Sequence, residues 1–295
     1  MEIMSDFDYD AMVQRNLGFL TRDEQSRIRT TPVFVCGVGG MGGACVQSLA
    51  RAGAMRLGLA DIDRFELSNL NRQVFAFLST LGQGKIEATL ERLRDLNPSL
   101  EPEFWGAEWL ERLDEILPRY RIVVNAMDDV RAGILLYRKA KEHGATVIDA
   151  YTSPLPSVTR VGPGDPRPEE RLSFPSAGRD PRELTPDVLD ACRIREMEYV
   201  MIHSSSAKYV DLDLAGDVVA GRRGRPSLAP MVITTGNLMC FEVLGLILGR
   251  ASGTDCRGYF YDPWKGRIER PRSWPVARML RPWVRREMRR LLHAH

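Results

Sequence analysis

The chain contains a glycine-rich turn followed by a dense set of charged and polar side chains. The turn reads GVGGMG at residues 37–42, and the string LADIDRFELSNLNRQ at 59–73 and Lys85 follow it. Glycines let a backbone approach a phosphate or a ribose closely. Cations near a nucleotide's phosphates stabilise negative charge that develops there. These residue types therefore predict chemistry at a phosphate rather than hydride transfer at a nicotinamide ring.

The elements that must position these residues are a strand and a helix on either side of the turn. Residues 32–36 form a short apolar run rich in β-branched and aromatic residues, which predicts a buried strand, and residues 43–52 are typical of a helix. This order matches the dinucleotide-binding fingerprint. A second predicted strand, 56–60, ends at Asp61, where a carboxylate can accept hydrogen bonds from ribose hydroxyls. An NAD enzyme would share the pattern up to this point.

The residues after Asp61 separate this chain from an NAD enzyme. Arg72 and Lys85 would serve an attack on the α-phosphate of ATP, whereas a redox enzyme gains little from such cations. The P-loop class is excluded, because no G-x-x-x-x-G-K-[ST] occurs and Lys85 is followed by Ile86.

Residues 15 to about 150, and more loosely 226–270, resemble the ThiF/MoeB/HesA family, the adenylyltransferase relatives of ubiquitin-activating enzymes. The matching pieces are Arg15-Asn16, the two strings quoted above, Gly84-Lys85, NAMDD at 125–129 with Arg131 after it, and the late helix around 227–248. The combination of D-x-D with S-N-x-x-R-Q is long and therefore specific.

The resemblance implies a role for each matching position. Asp61 would hold the ribose, and Asn69, Arg72 and Lys85 would contact the triphosphate and the reacting α-phosphate. Arg15 would also reach phosphates, in this family often those of the neighbouring subunit, which implies a homodimer. The remaining predicted nucleotide-binding residues are Gly37, Gly39, Gly40, Gly42 and Asp63.

Asp128 follows the predicted strand 121–126. A carboxylate at the carboxyl edge of an open parallel sheet lies where ligands bind. The resemblance implies that Asp128 holds Mg²⁺ through ATP, since this hard cation prefers one or two carboxylates together with phosphate oxygens. The alternative is that Asp128 and Asp129 cap the helix that begins near Val130.

The alternation of strands and helices predicts an α/β fold, a Rossmann-like and mostly parallel sheet with helices on both faces. We assign residues 1–152 to the N-terminal helices and the ATP-binding portion. Residues 153–295 would supply substrate-binding loops, the apolar helix 231–248 and a C-terminal helix over 278–292, as one composite domain with the first portion. Proline, glycine and charge are dense over 153–187, which predicts long loops with a strand at 157–161.

The five cysteines show no pairing pattern, which fits a reducing compartment. Many relatives carry a structural zinc on two C-x-x-C pairs, but this chain has no C-x-x-C, so we expect no zinc. Cys192 is a candidate nucleophile that would take the acyl group as a thioester, because Arg193 and Arg195 would favour a thiolate. The alternative is a small buried side chain in a helical turn over 187–194.

Composition adds little about partners. The net charge of +2 favours no particular one, and 44% hydrophobic residues suffice for a sizeable core. No run of eighteen apolar residues occurs, and the first residues are acidic rather than typical of a signal peptide. We therefore expect a cytoplasmic protein without a membrane partner.

These observations lead to one main hypothesis, an enzyme that uses Mg-ATP to activate a carboxylate as acyl-AMP with release of pyrophosphate. The carboxylate would belong to the C-terminus of a small ubiquitin-like or sulfur-carrier protein, to a peptide, or to a small-molecule natural-product intermediate. One alternative is an activity like that of tRNA threonylcarbamoyladenosine dehydratase, the only case in which we expect a nucleic acid. The other is an NAD-dependent oxidoreductase, which would leave Arg72, Lys85 and Asp128 without roles.

Overall fold

A computed structural model of the chain describes residues 7–100, 102–211, 214 and 224–293. Its strands form one sheet with the order β3-β2-β1-β4-β5-β6-β7-β8. Strands β1 to β5 are parallel, and β6, β7 and β8 are added antiparallel. The strands are β1 (Val33–Cys36), β2 (Leu57–Ala60), β3 (Glu103–Trp105), β4 (Ile122–Asn125), β5 (Thr146–Asp149), β6 (Ser157–Val161), β7 (Tyr259–Asp262) and β8 (Arg267–Glu269).

Helices cover both faces of the sheet. The α-helices of the described residues are α1 (Tyr9–Val13), α2 (Arg22–Thr30), α3 (Gly40–Arg51), α4 (Lys85–Leu96), α5 (Leu113–Ile116), α6 (Val130–Glu142), α7 (Pro168–Arg171), α8 (Pro186–His203), α9 (Ala229–Leu248) and α10 (Trp274–His293). The fold class predicted from the sequence is confirmed.

Strand β1 shows how the sheet divides the core into two layers. Its four residues are all fully buried, as expected for a central parallel strand covered on both sides. Val33 and Val35 pack in the cluster that contains Leu49 of α3, whereas Phe34 packs in the opposite cluster with Leu136 of α6. The pleat sends alternate side chains to opposite faces, so each face of the strand anchors a different set of helices.

The strand order reverses next to β1, because the chain builds outward through β2 and β3 and then returns to add β4 on the other side. At the carboxyl ends of β1 and β4, the backbone N–H of Ala126 donates to the Cys36 carbonyl over 2.8 Å. Gly37 adopts a φ of +88°, and a Cβ there would lie 2.9 Å from the Ala126 carbonyl oxygen. Open parallel sheets bind ligands in the crevice at such a reversal.

Helix α9 packs closely across α3. A Cβ at Gly236 would lie 2.4 Å from the Met41 carbonyl oxygen, and a Cβ at Gly40 would lie 2.6 Å from Cγ1 of Val232. By length and composition α9 is apolar enough to cross a membrane. Its Gly236 contacts α3 and its Val243 is fully buried, so one side of α9 packs in the core of the fold.

Two elements differ from the sequence predictions. Strand β8 is one of them, since no strand was predicted there. The helical turn expected over 187–194 is the start of the longer α8. Its apolar residues pack into different clusters along its length, Cys192 in one and Ile202 in another, so they form no single stripe that a sequence pattern could detect.

The two sequence portions share the sheet, since β6, β7 and β8 belong to the second portion and β5 to the first. Residues 1–6 and 294–295, which the predicted portions include, lie outside the described residues, as do 101, 212–213 and 215–223.

Two glycines of α9 make a matched test of its packing. We expect Gly236→Ala to destabilise the protein by about 1–3 kcal/mol, because the added methyl overlaps the α3 backbone. Gly245→Ala has nothing within 4 Å of its Cβ, and we expect it to be neutral or to stabilise by about 0.5–1 kcal/mol through helix propensity. Urea unfolding of both variants measures the difference, and equal stabilities would contradict the close α3–α9 contact.

Candidate active site

The glycine turn brings the beginning of α3 directly against the end of β1. A Cβ at Gly42 would lie 1.8 Å from the Gly37 carbonyl oxygen, so only glycine allows this approach. The residue before the helix, Gly39, has no side chain and therefore gives the first-turn amides no side-chain cap. Unfilled amides and the positive end of the helix dipole favour an anion at this position.

Asp61 lies beside the turn at the end of β2. One carboxylate oxygen accepts the Val38 N–H over 2.8 Å, and the other accepts the Asp63 N–H over 2.9 Å. Burial is the main cause that raises the pKa of Asp61, while these hydrogen bonds and the nearby Lys85 act in the opposite direction. The two backbone contacts fix the carboxylate next to the glycine turn, and its predicted contact with a ribose stays a prediction.

Lys85 is brought to the same edge by the loop that follows β2. It is the first residue of α4, and its backbone N–H donates to the Asp63 carbonyl over 2.9 Å. Its Nζ lies 2.8 Å from the Asp63 carboxylate, with the lysine side chain only 9% exposed and that of Asp63 65% exposed. A nearly buried ammonium with one solvent-exposed partner can accept a second anion.

Arg72 also lies close to the glycine turn. A Cβ at Gly40 would lie 3.8 Å from the Arg72 Cγ, so the arginine stem passes beside α3. Its guanidinium donates to the Ser68 carbonyl over 2.8 Å and to the Asn71 side chain over 2.9 Å. Arg72 is therefore placed beside the turn with the direction of its side chain set by its own loop.

Asn69 and Gln73 of the same loop are both buried. The Asn69 side-chain oxygen accepts the Glu66 N–H over 3.2 Å, so this residue shapes the loop, and its predicted contact with phosphate stays a prediction. The Gln73 Oε1 is buried without a hydrogen-bond partner among the described residues, and a Cβ at Gly39 would lie 3.6 Å from the Gln73 amide. We add Gln73 to the candidate site. It belongs to the S-N-x-x-R-Q string, which was the signal for it in the sequence.

Asp128 and Asp129 have different functions in the structure. Asp129 caps α6, accepting the Ala132 N–H over 3.1 Å. Asp128 is 81% exposed, and its carboxylate lies 3.1 Å from the guanidinium of Arg225. Since capping is performed by Asp129, Asp128 is an accessible oxygen ligand at the sheet edge. Such a carboxylate fits the magnesium that accompanies ATP.

Arg15 does not lie at this edge within one chain. The neighbouring Asn16 donates to the Ala52 carbonyl at the C-terminal end of α3, and α3 has 12 residues. That length corresponds to about 18 Å between the glycine turn and the region of Arg15. Arg15 is exposed there, away from the glycine turn of its own chain, and its predicted contact with phosphates stays a prediction.

Cys192 is fully buried in a cluster with Ile134, Phe174 and Leu184. Burial is the main cause that raises its thiol pKa. A buried thiol with a raised pKa is a poor nucleophile, so the structure favours the packing interpretation over the thioester hypothesis. Among the described residues, no group of three or more His, Cys, Asp or Glu side chains is placed to hold a metal.

Sequence reasoning missed a half-buried carboxylate, Asp149, at the end of β5. It accepts hydrogen bonds from the Asn125 amide and the Tyr137 hydroxyl, each over 2.8 Å. Burial raises its pKa to about 7. Asp149 lines a pocket that also contains Asp128. An acidic residue at a strand end, like Asp61, was the available signal, but nothing in the sequence indicated its burial.

Comparison with known proteins gives a family match over most of the chain. The model of the ThiF family matches residues 13–278.

Two curated relatives illustrate the range of activities among similar proteins. tRNA threonylcarbamoyladenosine dehydratase 2 of Saccharomyces cerevisiae is 30% identical over 158 residues, which are 52% of this chain and 35% of that protein. Molybdopterin-synthase adenylyltransferase of Haemophilus influenzae is 37% identical over 109 residues, 37% of this chain and 45% of that protein. The chain thus spans less than half the length of these relatives.

Among solved structures, E. coli MccB with ATP superposes with a TM-score of 0.60 at 17% identity, covering 85% of this chain and 67% of that one. At this identity the likeness shows a shared fold.

The raised pKa of Asp149 predicts a pH-dependent stability. The folded state keeps a proton that the unfolded state releases between pH 4 and 7, so this group lowers stability as the pH rises through that window. Relative to Asp149→Asn, the wild-type free energy of unfolding should fall by up to about 4 kcal/mol from pH 4 to 7. Urea unfolding against pH measures this. The exposed Asp95→Asn is the control, and a pH-independent difference for Asp149→Asn would contradict the assignment.

Proposed function

The chain belongs to the ThiF family, and on this premise we propose that it uses Mg-ATP to adenylate a carboxylate, releasing pyrophosphate. The observation that carries the proposal is the convergence of five groups at one sheet edge: the glycine turn, Asp61, Arg72, Lys85 and Asp128. An oxidoreductase would need the first two and would have no use for the other three.

The proposed mechanism begins with the position of the nucleotide. The Asp61 carboxylate, fixed by the Val38 and Asp63 amides, would accept hydrogen bonds from the ribose hydroxyls. The uncapped amides at the start of α3 would receive phosphate oxygens. The buried Gln73 amide oxygen beside Gly39 would then find a donor in the bound nucleotide.

The chemical step is a displacement at phosphorus. An oxygen of the substrate carboxylate forms a bond to the α-phosphorus, the bond from that phosphorus to the bridging oxygen breaks, and pyrophosphate leaves with the electron pair. Arg72, beside the glycine turn, and Lys85, paired with Asp63, would stabilise the charge that grows on the phosphate oxygens. Lys85 would exchange part of its pairing with Asp63 for the phosphate.

Magnesium would be held by Asp128 and by phosphate oxygens of ATP, and would neutralise part of their charge. Asp128 is suited to this because its only partner among the described residues is the half-exposed Arg225, a pair that contributes little in water.

The acyl substrate is proposed to be a peptide, a small carrier protein or a small molecule with a free carboxylate. Support comes from the relative named molybdopterin-synthase adenylyltransferase. A second candidate is the carboxylate of a modified tRNA nucleoside, supported by the yeast relative named tRNA threonylcarbamoyladenosine dehydratase 2. Both candidates use the same activation step.

We also propose a homodimer in which Arg15 completes the partner's site. Its support is the position of Arg15, exposed at the far end of α3 from the glycine turn of its own chain.

Activation is tested by ATP–pyrophosphate exchange with a panel of substrates: a carrier protein ending in Gly-Gly, randomised peptides and threonylcarbamoyl-modified tRNA. We expect exchange with one panel member, and expect Lys85→Met to reduce it by about 10²–10³-fold, because it removes a cation from the developing charge. Lys139→Met, on the outer face of α6, is the matched control. Calorimetry should detect binding of Mg-ATP. Binding of NAD in its place, or equal exchange by both variants, would overturn the proposal.

Arg15 is tested by mixing two inactive variants. Arg15→Ala and Lys85→Met should each be nearly inactive alone, because each removes one phosphate contact from every site. A mixed dimer contains one site with an intact Lys85 from one subunit and an intact Arg15 from the other. We therefore expect exchange activity to reappear on mixing. An Arg15→Ala variant with full activity, or a mixture that stays inactive, would exclude action across the dimer.

A further inference from the structure

A short segment in front of α9 contacts the chain on both sides of the glycine turn. We call residues 224–228 the strap; their sequence is GRPSL, and α9 begins directly after them. At one end the Arg225 guanidinium lies 3.1 Å from the Asp128 carboxylate. At the other end the Asn71 side chain donates to the Ser227 carbonyl over 2.8 Å. Because β1 lies between β4 and β2 in the sheet, the strap joins the two loops that flank the end of β1.

The backbone of the strap limits how far Arg225 can move. Pro226 fixes its own φ and disfavours a helical backbone at Arg225. The side-chain oxygen of Asn71, which holds the strap, also accepts the Arg72 guanidinium over 2.9 Å. The strap is thus tied to the loop that carries Arg72, and it continues directly into α9. A guanidinium that is released from Asp128 therefore stays close to that carboxylate.

The ion pair of Arg225 and Asp128 can exchange partners. The two side chains are 43% and 81% exposed, and exposed ion pairs contribute little stability in water. The proposed function gives Asp128 a second cation to bind, the magnesium that accompanies ATP. Two cations on one carboxylate repel each other. Binding of Mg²⁺ by Asp128 would therefore weaken the pair and release the Arg225 guanidinium.

The surroundings of Asp128 are unfavourable for a substrate carboxylate. The pocket beside it is lined by four further carboxyl groups, those of Asp129, Asp149, Glu169 and Glu196. Glu169 is paired with Arg138, and burial raises the pKa of Asp149 to about 7, so these two groups repel an anion less than the others. A carboxylate that approaches Asp128 for activation still meets like charges and needs a cation beside it.

Within the described part of the chain, the cation in contact with Asp128 is Arg225. Arg171 also lines the pocket, but its guanidinium lies over the ring of Tyr199 at 4.8 Å. Burial raises the pKa of Glu196, and the charge of Arg225 acts in the opposite direction, so Arg225 is close to that carboxyl as well. Arg225 therefore lies where it can compensate the negative charge that a substrate meets.

We propose that Arg225 is a substrate-binding residue that changes partners during the reaction. It pairs with Asp128 until that carboxylate takes up the magnesium of Mg-ATP. The Arg225 guanidinium then pairs with the carboxylate of the acyl substrate and holds it beside the α-phosphate, as a charge-assisted hydrogen bond allows. This inference rests on the proposed function and adds a residue to its substrate side.

The first test measures the partner exchange without any turnover. Calorimetry gives the Kd of ATP with EDTA and with Mg²⁺, in the absence of an acyl substrate, and the ratio is the factor by which magnesium strengthens ATP binding. We expect this factor to be about two- to fivefold larger in Arg225→Gln than in the wild type, because magnesium no longer competes with an exposed ion pair. Thermal unfolding should show that the exposed substitution leaves the fold intact.

The second test measures the acyl substrate in ATP–pyrophosphate exchange, with the panel member that supports exchange. We expect Arg225→Gln to raise the KM of that substrate by about tenfold, because a charge-assisted hydrogen bond is lost. The change in kcat should stay below about threefold, since the guanidinium holds the carboxylate before and during the attack. Arg225→Lys keeps the charge and should recover most of the loss.

Arg250 provides the matched control. It is similarly exposed and pairs with Glu24 of α2 over 3.0 Å. We expect Arg250→Gln to retain the wild-type magnesium factor and the wild-type KM.

The two tests separate this role from a structural one. An arginine that only held the strap in place would not make the effect of magnesium on ATP binding larger. A magnesium factor that is unchanged or smaller in Arg225→Gln, or an unchanged KM for the acyl substrate, would overturn the inference. A KM that rises for ATP and not for the acyl substrate would also overturn it, because Arg225 would then serve the phosphates.

These failures leave the proposed function in place. A protein that binds no Mg-ATP, or that shows no exchange with any panel member, would overturn the proposed function and this inference with it.

Discussion

The close contact of the glycine turn with its neighbours is the constraint on which the rest of the site depends. The backbone of Gly42 packs against the carbonyl of Gly37, that of Gly37 against Ala126 after β4, and that of Gly236 in α9 against Met41. A Cβ at any of these three glycines would overlap the neighbouring backbone. Because these backbones meet directly, α3 begins at the crevice where the strand order reverses, and its first-turn amides face that crevice without a side-chain cap.

The charges of the site are arranged around that fixed backbone. The Asp61 carboxylate is held by two amides, and Lys85 is nearly buried against an exposed Asp63. The Lys85 ammonium is paired with a carboxylate that water can also reach. A phosphate oxygen can therefore replace part of the Lys85–Asp63 pairing at a small cost in free energy. Because these charged groups are already in position, little free energy is spent on moving them when negative charge develops in the reaction.

Strand β4 leads from the glycine turn to the pocket that Asp149 lines. Asn125 at its end holds Asp149, and Asp128 three residues later lines the same pocket. Part of the lining of this pocket comes from α7 and α8, which belong to the second portion of the sequence. Arg138 of α6 joins these portions through its buried ion pair with Glu169. This side of the site thus depends on contacts between both portions.

The sequence by itself determined the strand–turn–helix unit, the parallel α/β fold and the cation set of Arg72 and Lys85, since these follow from local periodicity and from residues close together in one unit. Only the tertiary structure decided three other matters. It assigned helix capping to Asp129 and left Asp128 accessible. It placed Arg15 at the far end of α3.

It also gathered Asp149, Arg171 and Glu196 around one pocket, although the three are far apart along the chain. The physical reason is that a side chain's burial and its partners depend on which elements pack together. The pattern along one strand or one helix specifies which face is apolar, but it does not specify which distant charge that face will meet.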